Sequence, residues 1–155
     1  MSSPDRPVRS SPTRPGGHGP GVVDVDLPFD VDGLYALRAT LAAHASRLGA
    51  PDEQIEHLLI VASELAANAI QHGGGSGRLR LWHSDGLLCC QVSDRGPGIT
   101  DPGIGTSPPD PASLNGGRGL WICRNLASQL TIARGPDGRG AVITAAIPPP
   151  RPSPP

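Results

Sequence analysis

The feature that most constrains the fold is a long amphipathic helix that ends in a run of glycines. The stretch from Pro51 to His72 is followed by glycines at positions 73, 74, 75 and 77, which predict the end of the helix. Its apolar side chains fall within a stripe of roughly 120°, which is the width of a face that packs on a sheet. The stripe consists of Ile55, Leu58, Leu59, Ala62, Leu65, Ala66 and Ala69. The chain therefore requires a sheet that covers this helix.

Glu64 and Asn68 lie on the side of this helix that faces away from the apolar stripe. Their i, i+4 spacing places the two side chains together on one helix face. A solvated surface explains such a pair without any function, and the helix alone favours that interpretation. A carboxylate beside an amide oxygen also suits a Mg²⁺ ion bound to phosphates, with the carboxylate as the base for an attacking hydroxyl group. The choice between the two interpretations depends on the rest of the chain.

The remaining patterns predict one folded domain between two tails. Five of the 19 prolines lie in residues 1–20 and six lie in residues 148–155, so residues 1–21 and 149–155 are interpreted as disordered tails and residues 22–148 as the domain. Periodicity predicts the strands and helices. In order, these are strand Val22–Phe29, a helix from Asp30 or Asp32 to Leu48, helix Pro51–His72, strands Arg78–Ser84 and Leu87–Asp94, a loop Arg95–Asn115, helix Gly119–Ser128, and strands Gln129–Arg134 and Ala141–Ile147. This order predicts a two-layer α/β sandwich, with a mixed, mostly antiparallel sheet and helices on one face.

Composition excludes several classes of function. The formal net charge of -1 gives no electrostatic reason to expect nucleic acid or an anionic membrane as a partner. No apolar run approaches the ~20 residues of a membrane helix, and the N-terminus lacks the pattern of a signal peptide, so we expect a cytoplasmic protein. The three cysteines, Cys89, Cys90 and Cys123, match neither a disulfide framework nor a metal-binding spacing. Buried free thiols are expected rather than a zinc site.

Two glycine-rich segments flank the predicted loop. The first, DRGPGI (Asp94–Ile99), begins at the end of an apolar strand. Glycines there let the backbone approach a flat ligand, and the carboxylate can accept a hydrogen bond from that ligand. The second, NGGRGLWI (Asn115–Ile122), leads into a helix whose first N–H groups favour anions such as phosphates. Either segment alone also fits an ordinary turn or hinge.

Together, E-x-x-x-N on a helix, D-x-G-x-G after a strand and G-x-G-L before a helix resemble the motifs of the GHKL ATPase superfamily, whose nucleotide-binding domain is the Bergerat fold. The run SELAANAIQHG and the small size of the domain most resemble the anti-sigma factor serine kinases and related actinobacterial ATP-binding regulators. The resemblance covers about Phe29 to Pro148. It implies the Bergerat fold, with ATP and Mg²⁺ as cofactors.

The resemblance also assigns a role to each matching residue. Asn68 corresponds to the asparagine that binds Mg²⁺, and Glu64 corresponds to the general base. Asp94 corresponds to the aspartate that holds the adenine amino group. The other nucleotide-binding positions are His72 at the pocket edge, Gly96, Gly98 and Ile99 around the adenine, and Gly117, Arg118, Gly119 and Leu120 near the phosphates. Arg118 either reaches a phosphate or points outward, and the loop Thr100–Asn115 corresponds to the ATP lid.

The activity implied by the resemblance is that of an ATP-dependent protein serine kinase. Such a protein phosphorylates a serine of an anti-sigma factor antagonist, binds a sigma factor and thereby regulates transcription, and a homodimer is compatible with it. The chain shows no phosphoacceptor-histidine helix, so we expect the acceptor on another protein. However, Gly140-Ala141 stands where the superfamily often has a Gly-Thr pair, and a hydroxyl group is therefore missing. Two alternatives stay open: a nucleotide-gated protein-binding module without phosphotransfer, and an orphan catalytic domain of the histidine-kinase type.

Overall fold

The described part of the chain contains five strands and three α-helices. The structure, a computed structural model, describes residues 23–99, 103–108 and 117–151, and every structural statement below concerns these residues. Along the chain, the elements are β1 (Val25–Asp30), α1 (Leu34–Arg47), α2 (Asp52–His72), β2 (Ser76–Ser84), β3 (Leu87–Ser93), α3 (Gly117–Leu126), β4 (Gln129–Arg134) and β5 (Ala141–Ile147). A short 3-10 turn, Val31–Gly33, separates β1 from α1. The predicted elements are all present, with shifts of a few residues at their ends.

The strands form one sheet in the order β1-β2-β3-β5-β4. All pairings among the described strands are antiparallel, so the mixed pairing allowed by the sequence is not found there. Asp85 and Gly86 form a two-residue turn between β2 and β3, with φ angles of 52° and 82°. Positive φ at both positions is typical of a type I′ hairpin turn, which suits the right-handed twist of the strands. The predicted α/β sandwich is confirmed.

The hydrophobic core lies between the sheet and the helices. Leu79 and Leu81 of β2, Cys90 and Val92 of β3, and Ile143 of β5 are buried in a single cluster with residues from all three α-helices. These strand residues alternate along the chain, because successive side chains of a strand point to opposite faces of the sheet. One face of the sheet is thus covered by helices, as the sequence pattern predicts.

Helix α2 buries most of the predicted apolar stripe. Five of the seven predicted residues are fully buried, whereas Ile55 and Leu59 are partly buried against the core. Val61 is also buried, although it lies outside the predicted stripe. The reason is α3, which packs beside α2 and places the Cys123 thiol 3.8 Å from the Val61 carbonyl oxygen. The sequence did not reveal this second covered side of α2.

Two helix ends differ from the prediction in detail. Helix α1 begins only at Leu34, with Gly33 at its N-cap and no side-chain cap. Of the two aspartates considered, Asp30 caps the 3-10 turn before α1, because its Oδ1 accepts hydrogen bonds from the N–H groups of Asp32 and Gly33, both at 3.1 Å. Such a side-chain acceptor satisfies N–H groups that have no partner within the helix. Helix α3 begins at Gly117 and ends at Leu126, two residues earlier at each end than predicted. Its glycines therefore belong to its first turn.

The cysteines are free and buried, as predicted. Burial raises the pKa of the Cys89 thiol to about 11. Burial is also the largest cause that raises the pKa of the Cys123 thiol, to about 12. These thiols are therefore protonated at neutral pH and act as small apolar side chains. The described residues contain no group of three or more potential metal ligands. Likewise, none of the described helices has the length and hydrophobicity that a membrane span requires.

Gln54 joins the beginning of α2 to the far end of the sheet. Its side chain is 2% exposed, and its Nε2 donates hydrogen bonds to the carbonyl oxygens of Gly86, at 2.8 Å, and Ile147, at 2.9 Å. One amide group thus connects the helix with the β2–β3 turn and with the last residue of β5. A buried carbonyl group without a hydrogen-bond donor destabilises the folded state, so the Gln54 side chain is expected to contribute to the stability of the fold by serving two of them.

We expect Gln54→Leu to lower the free energy of unfolding by about 2 kcal/mol, because it removes the donor from two carbonyl groups. The matched control is Gln71→Leu, the same change at an exposed position of the same helix. That control should stay within about 0.5 kcal/mol of wild type. Urea unfolding of the three proteins measures both values. Equal stability of the two variants would contradict the structural role of Gln54.

Candidate functional site

A pocket of about 380 Å³ lies between α2, α3 and the end of the sheet where β3 stops and β5 begins. This volume falls within the range of small-molecule binding sites. Its walls are mainly apolar, with a few polar groups. The lining residues are Leu65, Asn68, Ala69 and His72 of α2, Val92 of β3, Asp94, Pro97, Gly98, Ile99 and Ile104 of the following segments, Leu120 of α3, and Ala141 and Ile143 of β5.

Asp94 is fixed in this pocket by backbone hydrogen bonds. Its Oδ1 accepts from the N–H groups of Gly96, at 2.9 Å, and Ala141, at 3.3 Å. Its own N–H group donates to the carbonyl oxygen of Ala141 at 3.0 Å. Within the described residues, Oδ2 accepts no hydrogen bond. One oxygen therefore holds the carboxylate in place, and the other is available to an N–H group of a ligand.

Two glycines leave room for Asp94, and a third packs against one of them. A Cβ atom at Gly73 would collide with its carboxyl group, and a Cβ atom at Gly140 would collide with its carbonyl group. Gly96 makes a similar approach to the backbone of Gly73. Gly140 also has a φ of 74°, in the left-handed region that favours glycine. The glycines at the end of α2 and before β5 are thus part of the site, whereas the sequence identified Gly73 only as a helix end and Gly140 only as part of the Gly140-Ala141 pair.

Glu64 and Asn68 are both half-buried, because α3 covers the side of α2 that was predicted to face away from the sheet. Asn68 lines the pocket. Glu64 lies against the first turn of α3, where a Cβ atom on Gly119 would be only 2.7 Å from its Oε1. Burial is the main cause that raises the pKa of Cys123, and the negative charge of Glu64 adds to it. The carboxylate therefore lies along α3.

The pocket brings together six residues selected from the sequence: Asn68, His72, Asp94, Gly98, Ile99 and Leu120. The other five lie next to the pocket and do not line it. Gly96 supports the aspartate, and Glu64 touches Gly119. Gly117 lies near Ile104 at the start of α3, and Arg118 in the same turn is exposed.

Most of the apolar wall of the pocket was missed from the sequence, apart from Ile99 and Leu120. The residues not selected are Leu65, Ala69, Val92, Pro97, Ile104 and Ile143, and Ala141 was noted only for its missing hydroxyl group. Strand alternation could have predicted two of these residues, because residues two apart in a strand point to the same face of the sheet. Val92 lies two positions before Asp94, and Ile143 lies two positions after Ala141. Ile104 has no such signal, since it comes from the predicted loop.

Part of the predicted lid packs against α3. Residues 103–108 are the only described part of it, and residues 100–102 and 109–116 lie outside the described residues. Gly105 is buried with a φ of 81°, and a Cβ atom there would be 2.7 Å from the Cβ of Leu120. The Arg124 Nε donates a hydrogen bond to the Ile104 carbonyl oxygen at 3.0 Å. These contacts hold the Ile104 side chain in the pocket wall.

We expect Gly140→Ala to destabilise the fold more than Gly138→Ala. Both glycines precede β5 with positive φ, 74° and 80°, so an alanine costs each position about 1–2 kcal/mol of backbone strain. Only at Gly140 does the new Cβ also collide with the backbone of Asp94, whereas nothing lies within 4 Å at Gly138. In urea unfolding, the loss at Gly140 should be larger by about 1–3 kcal/mol. Equal losses would show that Asp94 does not depend on this close approach.

Solved structures of other proteins share this fold. The RsbU and RsbW domains of Rv1364c from Mycobacterium tuberculosis match with a TM-score of 0.59 and 22% identity, over 83% of this chain and 34% of that chain. This chain thus spans about a third of the length of that solved chain. The mycobacterial sensor histidine kinase MprB matches with a TM-score of 0.51 and 17% identity, over 81% of this chain and 98% of that chain. No curated protein matches the sequence.

A family model also matches the sequence. It describes the histidine kinase-like ATPase domain, and it matches residues 27–147. These residues include all of α1, α2, α3 and the complete pocket wall. The match confirms the resemblance to the GHKL superfamily that the three motifs indicated. The chain belongs to the histidine kinase-like ATPase family.

Proposed function

We propose that this protein binds ATP with Mg²⁺ in the pocket and transfers the γ-phosphoryl group to a serine hydroxyl group of another protein. The observation that carries the proposal is the Asp94 carboxylate, which is held by two backbone N–H groups and keeps one oxygen for a ligand. The same pocket contains the Asn68 amide and adjoins the first turn of α3. The pocket thus combines a hydrogen-bond acceptor for the adenine amino group with groups that can interact with phosphates.

The pocket fits an adenine nucleotide. Its walls include Leu65, Val92 and Ile143, which offer apolar surface to a flat ring. The free oxygen of Asp94 can accept a hydrogen bond from the exocyclic amino group of adenine. The first N–H groups of α3 belong to a helix of ten residues, whose N-terminus favours phosphate oxygens. An apolar pocket with few polar groups is the usual form of a cofactor site.

The residues present also fit a magnesium ion. Mg²⁺ in nucleotide sites typically takes one or two protein ligands and completes its octahedron with phosphates and water. Asn68 supplies such a single oxygen ligand at the pocket wall, and the described residues contain no larger cluster of metal ligands. When bound, the ion neutralises charge on the phosphates. Asn68 is therefore the proposed protein ligand that would hold the ion beside α2.

Glu64 is the proposed general base. It lies one helical turn before Asn68, so its carboxylate is close to the proposed metal position. It takes the proton of the serine hydroxyl group as the serine oxygen forms its bond to the γ-phosphorus. The bond from that phosphorus to the β–γ bridging oxygen breaks, and ADP leaves with the bonding electrons. The N–H groups at the start of α3 stabilise the charge on the phosphoryl oxygens.

The proposed protein partners follow from the resemblance of the sequence. They are an anti-sigma factor antagonist, which carries the acceptor serine, and a sigma factor, which the protein binds. A solved structure that contains an RsbW domain shares the fold at 22% identity, which supports the proposal at the level of the fold. The exposed side chain of Arg118, near the first turn of α3, is a candidate contact for the phosphorylated partner.

One observation favours a second function, a nucleotide-gated binding module without phosphotransfer. Ala141 lies in the pocket wall and bonds with Asp94 through its backbone, so a methyl group occupies the position where the superfamily often has a threonine hydroxyl group. One polar contact to the nucleotide is therefore absent. In this alternative, ATP changes the affinity for a partner protein, and Glu64 has no role in chemistry.

We expect Asp94→Asn to weaken binding of Mg-ADP by ~10-fold or more, because a hydrogen bond to a charged acceptor typically contributes ~1.5–3 kcal/mol. The control is Asp85→Asn in the β2–β3 turn, which does not line the pocket and where asparagine tolerates the positive φ. Titration calorimetry of wild type and both variants measures the affinities. If wild type fails to bind at millimolar nucleotide, the ATP proposal is wrong.

We expect Glu64→Ala and Asn68→Ala to separate the two functions. Glu64→Ala should keep most nucleotide affinity while phosphotransfer to the antagonist falls ~100-fold or more, which is typical for loss of a general base. Asn68→Ala should damage both, because it removes a metal ligand. The measurement is transfer of labelled phosphate from ATP to antagonist proteins of the same genome. Absence of transfer by wild type, together with ATP-dependent binding of a sigma factor, would favour the binding module.

A further inference from the structure

The two glycines in the first turn of α3 have different surroundings. At Gly119, a Cβ atom would lie 2.7 Å from Oε1 of Glu64, 3.6 Å from its Cβ and 3.7 Å from its Cδ. At Gly117, the nearest atom would be Cγ1 of Ile104, at 3.9 Å, which is an ordinary contact. Neither glycine has a positive φ, so backbone conformation does not require glycine at either position. Only at Gly119 does a neighbouring side chain lie so close that a Cβ atom would collide with it.

A second observation places the Glu64 carboxylate along this face of α3. Its charge adds to the rise of the Cys123 pKa that burial mainly causes. Cys123 lies four residues after Gly119, and residues with this spacing share a helix face. The carboxylate also lies near the N-terminus of α3, where the helix dipole favours a negative charge. The position of the carboxylate is therefore determined by α3 as well as by α2.

We propose that Gly119 is a positioning residue for Glu64, because its missing side chain leaves the space in which the Glu64 carboxylate rests against α3. The consequence for phosphotransfer depends on the proposed function, in which Glu64 is the base. Gly119 then affects the reaction through Glu64 and not only through access of phosphates to the backbone. Gly117, which has no contact with Glu64, does not share this role.

The clash at Gly119 involves the tip of a flexible side chain. In Gly119→Ala, the carboxylate can turn away while the backbone stays in place, so the fold should lose little stability. General-base catalysis, in contrast, requires the base within hydrogen-bond reach of the hydroxyl group, and a misplacement of about 1 Å can cost ~100-fold in rate. The proposal therefore predicts a variant that folds and binds nucleotide yet reacts slowly.

The position of the carboxylate is tested without any activity. The ¹³C resonance of the Glu64 carboxyl group, assigned with Glu64→Gln, is measured in wild type, Gly119→Ala and Gly117→Ala. The proposal expects the resonance to shift in Gly119→Ala and to stay at its wild-type position in Gly117→Ala. An unshifted resonance in Gly119→Ala, or equal shifts in both variants, would overturn the proposal whether or not the protein is a kinase.

The effect on the reaction is tested with an antagonist protein that wild type phosphorylates. Gly119→Ala should lower the turnover at saturating ATP by ~10-fold or more, and any loss of affinity for Mg-ADP should be clearly smaller than this loss of turnover. Gly117→Ala should act on nucleotide affinity instead. In the Gly119→Ala background, Glu64→Asp should recover part of the turnover, since its shorter side chain avoids the new methyl group.

Other results contradict the role in positioning. If Gly119→Ala loses affinity as much as turnover, the glycine serves the nucleotide directly. If Glu64→Asp lowers turnover further in the Gly119→Ala background, the displaced carboxylate is not the cause of the loss. Failure of the proposed function looks different, because wild type would then transfer no phosphate while the Gly119→Ala shift of the Glu64 resonance would persist.

Discussion

The carboxylate of Asp94 is held where three parts of the chain meet: the end of α2, the end of β3 and the start of β5. Backbone N–H groups of Gly96 and Ala141 fix one of its oxygens. Gly73 and Gly140 allow the approach because they lack a Cβ atom. Any larger residue at these positions would push α2 or β5 away from β3. The pocket depends on this close packing, since all three segments contribute to its walls.

The pocket is continuous with the hydrophobic core. Leu65, Val92, Leu120 and Ile143 line it and also belong to the main buried cluster. An adenine ring placed there would extend the core between α2, α3 and the sheet. A ligand that binds only the folded state stabilises that state in proportion to its concentration and affinity. Nucleotide binding and folding stability are thus coupled through the same side chains in the proposed function.

The fold could be predicted from local patterns because each of its elements is encoded by nearby residues. The apolar stripe of α2 predicts a helix that packs on a sheet. Asp85-Gly86 predicts the turn between β2 and β3, because these residue types tolerate the positive φ angles of a hairpin turn. The order of the three motifs indicated the family. Val61 and Gln54 were missed, because their partners come from α3 and from the end of β5, which are distant in sequence. Periodicity within one helix contains no information about such partners.

The sequence by itself determined the elements, their order, and the polar residues from which a nucleotide site can be built, since these depend on spacing along one strand or helix. Only the tertiary structure decided where Glu64 lies. Its helix position was compatible with solvent, but α3 packs beside it and Gly119 leaves space for its carboxylate. The structure likewise showed that Gly73, predicted only as a helix end, and Gly140, noted only as part of the Gly140-Ala141 pair, leave room for Asp94. The physical reason is the same in both cases: a missing Cβ matters only when another part of the chain occupies the space.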